Sequence, residues 1–171
     1  MRRALIMIGL AASSLSAQVA GSGGAVAASR ELWRNGHNYV LRSAEQLPES
    51  LYAFKPTPAV RSFAEQFGHV AGSEYMFCAA VLGEPGRAED AVEKSANTKA
   101  ALVQALKDAG AYCDRAYAIT DAAAAATMTL FGGSGTKLYY LTMNATHDWE
   151  HYGNLVTYLR LKGLTPPSSQ Q

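Results

Sequence analysis

The chain has 171 residues, and 15 lysines and arginines against 14 aspartates and glutamates leave a net charge of +1, too little to draw it broadly to nucleic acid. Hydrophobic residues make up 49% of it, which excludes wholesale disorder, and the length suits one domain. Two cysteines exclude a disulfide-rich scaffold and a four-thiolate zinc site.

Met1-Arg2-Arg3 is a short basic start, followed by an apolar run from Ala4 to Ala12 and then small residues, the layout of a secretory signal peptide. The run is shorter than the roughly 20 residues of a membrane span, so no stable span is expected once it is removed. Ala25-Val26-Ala27 offers an A-x-A cleavage site; a cut near Ala17 and an uncleaved anchor are the other readings. A cut after Ala27 leaves 144 residues, removes two arginines and no acid, and takes the net charge to −1. The expected location is periplasmic or secreted. An oxidising compartment would let Cys78 and Cys113 pair; two separately buried helical cysteines are the alternative, and the preferred one.

The rest reads as helix after helix, with no sustained period-two alternation and no internal repeat. A first helix is expected from about Ser29 to Leu47, burying Leu32, Trp33, Val40, Leu41, Ala44 and Leu47 and ending at Pro48. A second opens with Thr57 as N-cap and Pro58 at its first position, and runs to about Leu82 before Gly83-Glu84-Pro85-Gly86. After a polar loop through Glu93, a third spans roughly Ser95 to Ile119. Asp121–Ala126 suits a short helical turn, Phe131–Gly135 a loop, and a fourth helix runs from near Thr136 to Gly163. Four long helices predict an all-α four-helix bundle. The expected organisation is a signal peptide over 1–27, the bundle over 28–165 and a polar tail over 166–171.

The fourth helix carries two stripes at helical spacing. Leu138, Leu141, Ala145, Trp149, Tyr152, Val156 and Leu159 form a core face; Tyr140, Met143, His147, His151, Asn154, Tyr158 and Leu161 form another. Two imidazoles at i and i+4 project from one face, the spacing with which a helix offers two ligands to one metal. The second helix repeats the arrangement. Val60, Phe63, Phe67, Val70 or Ala71, Glu74, Cys78 and Val81 make its main stripe, and Ser62, Gln66, His69, Ser73, Met76 and Ala80 a more polar one. If the two polar stripes face each other, three imidazoles converge and leave a metal an open position, as a catalytic site requires. The bland alternative is a hydrogen-bonded cluster of buried histidines without metal. His37 reads as surface or core-edge, and Asp148 and Glu150 as solvated carboxylates, with support of the metal ligands as the alternative for that pair. Tyr140 and Tyr158, one or two turns from the pair, are substrate-orienting candidates. The order His147-Asp148-Trp149-Glu150-His151 is not that of a zinc protease. Gly132-Gly133-Ser134-Gly135 lacks the context of a phosphate loop, and no basic stripe interleaved with aromatics speaks for nucleic acid.

Leu51-Tyr52-Ala53-Phe54-Lys55-Pro56-Thr57-Pro58, Arg61-Ser62-Phe63 and Gly68-His69-Val70-Ala71 resemble the first half of the DinB-like (damage-inducible) four-helix proteins. The segment from His147 to Arg160, with Gly163 and Pro166-Pro167, resembles that family's last helix. The resemblance covers nearly all of the chain after the signal. It implies a bundle with a long cross-over connection and a divalent metal (zinc, nickel, iron or manganese) held by His69, His147 and His151. Relatives in that family include thiol-dependent S-transferases and isomerases, proteins called hydrolases by analogy, and many with no assigned activity. The implied function is a metal-dependent hydrolase or transferase with an unknown small-molecule substrate, since fold and metal do not fix the reaction. A non-catalytic metal-binding or stress-response bundle is the alternative. Homodimerisation through helix faces is also suggested by the resemblance. The export signal departs from a typical cytosolic member, and the scarcity of small thiols outside the inner membrane weighs against thiol transfer.

Overall fold

A computed structural model describes residues 23–170 of the chain. The signal-like segment lies almost entirely outside them. Four long helices carry the fold: α1 (Ala25–Gln46), α2 (Phe63–Leu82), α4 (Lys99–Ala116) and α6 (Lys137–Leu161). Two short helices, α3 (Ala91–Ser95) and α5 (Asp121–Ala124), and a two-stranded antiparallel hairpin, β1 (Thr127–Leu130) and β2 (Gly133–Thr136), fill the connections. The most extensive packing joins α1 to α6 and α2 to α4, and α2 against α6 closes the bundle. The all-α bundle of the sequence reading is the fold observed.

Several boundaries move, each for a local reason. Helix α1 starts at Ala25 because the Asp121 carboxylate accepts from the backbone N–H groups of Ala25 and Val26, at 3.0 and 2.9 Å. The expected domain boundary after Ala27 therefore falls inside the first turn of α1. Helix α2 starts at Phe63, not Pro58. Ser62 and Glu65 form a reciprocal capping box, with Ser62 Oγ accepting from Glu65 N and Glu65 Oε2 from Ser62 N. The expected third helix begins at Lys99, where Thr98 caps it by accepting from Ala101 N, and the short α3 occupies the stretch expected as a polar loop. The polar tail is docked: Pro167 is buried, and Ser168 N donates to Tyr152 Oη at 2.8 Å.

The expected loop at Phe131–Gly135 contains a hairpin. Phe131 and Gly132, at φ 55° and 74°, supply the two left-handed residues of a two-residue turn, and Thr127 pairs with Thr136. Tyr140 Oη, which the sequence offered as a substrate contact, donates toward the carbonyls of Leu130 and Gly133 and fastens this hairpin to α6.

The core has two apolar ends. One gathers Val40, Leu47, Phe63, Phe67, Leu102, Leu106, Leu155 and Leu159; the other gathers Val26, Phe77, Val81, Tyr117 and Leu141. Cys78 and Cys113 join α2 to α4 as a disulfide within the second end, against the preferred reading of two separate thiols. Of the apolar residues given to the predicted stripes, Leu32, Val60, Met143, Trp149 and Leu161 are exposed, and α6 buries Asn144, Asp148 and Leu155, which lie between its two predicted stripes.

Candidate metal centre

Residues from α2 and α6 meet where the two apolar ends of the core adjoin. The polar faces of the two helices do face each other, and His69, His147 and His151 converge. His147 Nε2 lies 3.2 Å from His69 Nε2 and 3.1 Å from His151 Nε2. The ligand atoms of the three all fall within 4.8 Å of one another.

The protonation of His151 can be worked out from its other nitrogen. His151 Nδ1 lies 2.6 Å from the Gln66 side-chain oxygen, which only accepts. Nδ1 therefore carries the proton, and Nε2 turns a lone pair to the centre. His69 lies between two carboxylates, with Nδ1 3.8 Å from Glu93 Oε2 and Nε2 3.8 Å from Glu89 Oε1. His147 Nδ1 is buried and has no hydrogen-bond partner among the described residues. Burial lowers the pKa of all three rings, helped at His69 by Arg61 and at His147 and His151 by the neighbouring histidines and then Arg61; His151 is pushed down to about 3. Neutral imidazoles with lone pairs aimed at one point repel unless a proton or a cation lies between them. Nε2 separations of 3.1–3.2 Å suit a first-row metal bound at 2.0–2.1 Å by each nitrogen. The donor set thus fits the divalent metal implied by the resemblance.

One side of the site is apolar. Phe77 packs 6.1 Å from the His147 ring and 5.6 Å from Phe131, the exposed tip of the hairpin. The other side is a polar trough lined by Lys55, Arg61, Gln66, Glu93, His151, Asn154 and Tyr158. The Tyr158 hydroxyl donates to the Arg61 carbonyl at 3.0 Å, so this candidate holds the trough wall in place, while its ring borders the opening. Arg61 Nε lies 3.3 Å from a Glu93 oxygen.

One expectation about the neighbouring residues is corrected: Asp148 is wholly buried, not solvated, whereas Glu150 is exposed. His37 lies at the core edge, the second of its two expected places, and has a partner the sequence did not show: its Nδ1 lies 2.8 Å from Glu74 Oε1, which also accepts from Trp33 Nε1 at 2.7 Å. Burial opposes a charge on His37, but Glu74 outweighs it and raises the pKa. Burial and the adjacent Glu74 hold the Asp148 carboxyl well above the usual carboxylate range, so it enters the core as a neutral acid. On α1, α2 and α6 these groups fall between the two apolar ends, forming one polar layer behind the triad.

Sequence reasoning also left Gln66, Glu89 and Glu93 without roles. The signal for the last two was the pair Gly68 and Gly72, one turn apart around His69. A Cβ on Gly68 would lie 2.7 Å from Glu93 Cα, and one on Gly72 1.9 Å from the Glu89 carbonyl oxygen. Only glycine there lets the connection after α2 lie flat against the helix.

The sequence profile of the DinB superfamily matches residues 32–155. No curated protein matches the chain. Among solved structures, a mycothiol-dependent maleylpyruvate isomerase is similar at TM-score 0.64 and 18% identity, over 76% of this chain and 60% of that one. The chain thus spans less than two thirds of the isomerase. A DinB-like protein from Bacillus subtilis is similar at TM-score 0.61 and 20% identity, over 84% of this chain and 98% of that one. With two capped helices that place three histidines around one point, and a family profile that runs through all three, the chain belongs to the DinB superfamily.

Proposed function

We propose that the protein is an exported, metal-dependent enzyme, a hydrolase or transferase acting on a small organic molecule. The observation that carries this reading is the convergence of three neutral Nε2 atoms beside an open trough. A divalent ion bound there would polarise a substrate oxygen or lower the pKa of a bound water.

The chain's own residues would do the rest. Gln66 fixes the tautomer of His151, and Glu93 stands against Nδ1 of His69, the usual way a carboxylate or carbonyl orients a metal-binding imidazole. Arg61, at the mouth of the trough, offers a cation to an anionic substrate group. Phe77 and Phe131 shield the His147 side from water and suit an apolar part of the substrate. The mycothiol-dependent isomerase makes thiol-linked chemistry a specific variant. The signal-like N-terminus supports an export that takes the protein away from cytosolic thiols.

The test is elemental analysis of protein recovered from the periplasmic fraction, with N-terminal sequencing of the same sample. About one equivalent of transition metal in wild type and none in His147→Ala is the expected result. Turnover by wild type on a panel of esters, amides and lactones, lost in His147→Ala and on chelation, would establish the enzyme. Activity that survives without metal would overturn the mechanism. Stoichiometric metal with no turnover would favour a binding role.

A further inference from the structure

The connection between α2 and α4 brings a carboxylate close to the triad. Glu89 Oε1 lies 3.8 Å from His69 Nε2, the nitrogen that faces the centre. Ser73, fully buried one turn along α2 from His69, donates its hydroxyl to the same oxygen at 3.0 Å. The glycine at position 72 fixes the Glu89 backbone against the helix. The carboxylate is therefore aimed by its own backbone contact and by a buried donor, not left free in solvent.

Glu89 Oε1 thus stands beside the three converging imidazole nitrogens, on the His69 side of their common point. Carboxylate oxygen is an ordinary companion of imidazole on zinc, iron, nickel or manganese.

Building on the metal-binding reading above, we propose that Glu89 is a fourth protein donor, making the site a three-histidine, one-carboxylate centre. One negative charge then offsets half of the ion's charge. A six-coordinate ion keeps two positions for water and substrate. The segment after α2 becomes part of the metal site, and Ser73 a positioning residue for the ligand.

Co2+ and Zn2+ themselves are the probes. Full-length wild type, Glu89→Gln, Ser73→Ala, Glu150→Gln and His147→Ala would be compared by Co2+ absorption spectrum and by Zn2+ competition against a chromophoric chelator. Glu89→Gln is expected to shift the visible Co2+ bands and to weaken Zn2+ by at least the ~10- to 100-fold that loss of an orienting partner costs. Ser73→Ala should weaken it less, and Glu150→Gln not at all. Glu89 is 39% exposed, so the fold should tolerate glutamine, and equal melting curves in chelator would confirm it. Wild-type affinity and spectrum in Glu89→Gln, with binding lost in His147→Ala, would overturn this proposal alone. Wild type that binds neither ion would overturn the metal-binding reading as well. Weakened binding by Glu150→Gln equal to that of Glu89→Gln would reduce the effect to surface charge and also overturn it.

Discussion

The chemistry of the site is decided by single atoms that do not touch the reacting centre. His151 is useful as a ligand because Gln66 takes the proton on Nδ1, and Gln66 is reached from α2, not from the helix that carries the histidine. Replacing Gln66 with leucine leaves a buried N–H unpaired and frees the ring to exchange tautomers. The expected outcome is a ~10- to 100-fold weaker metal affinity with the helical content retained, measured by chelator competition and circular dichroism. Unchanged affinity would show that packing alone orients the ring. The three ligands themselves were legible, because i,i+4 spacing on one helix and a polar stripe on another are one-dimensional signals. Gln66, Glu89 and Glu93 were not, since their roles depend on contacts between segments. Asp148 was misread for the same reason: its neighbours in sequence are polar or exposed, and only the approach of Glu74 and α1 makes its position an interior one.

Among elements, helix ends and the hairpin show where pattern reading stops. The long helices were visible in hydrophobic periodicity, yet α2 begins five residues later than Pro58 suggests. A reciprocal Ser62–Glu65 box satisfies more backbone donors than a proline at the first position can. The hairpin is too short for alternation to register, and its turn places a phenylalanine in the left-handed region. The disulfide belongs to this scale, because it ties α2 to α4 across a separation of 35 residues. A loop of that size constrains the unfolded chain by about 2–4 kcal/mol. The Cys78→Ala, Cys113→Ala double variant should therefore melt roughly 5–15 °C below wild type, read by calorimetry under non-reducing conditions. A shift of less than ~2 °C would mean that the unfolded chain gains little from losing the bond.

At the scale of the whole molecule, two buried clusters set opposite dependences of stability on pH. The triad histidines have folded-state pKa values below the ordinary 6.5. In metal-free protein, acidification below pH 6.5 puts protons on these residues in the unfolded chain that the folded chain does not take up, and stability falls. The polar layer behind them acts the other way. Asp148 is raised above its ordinary 3.8, so between that value and its folded pKa the folded chain holds the extra proton, and stability grows as pH drops. His37, raised above 6.5, contributes stability that is complete below 6.5 and is lost as pH rises through its folded value. Substitution separates the two effects. Metal-free His151→Gln should lose less stability than wild type between pH 7.5 and 5.5, by up to about 1.4 kcal/mol or roughly 3–6 °C of melting temperature. Asp148→Asn, with no proton to gain on folding, should lose more than wild type over the same interval. Melting curves of both variants parallel to wild type would refute the assignment of either slope. Added metal should sharpen the contrast, because an ion that binds only the folded triad is released as protons compete for its ligands. The acid side of the wild-type stability curve should therefore steepen on metal loading, and that steepening should be absent in His147→Ala.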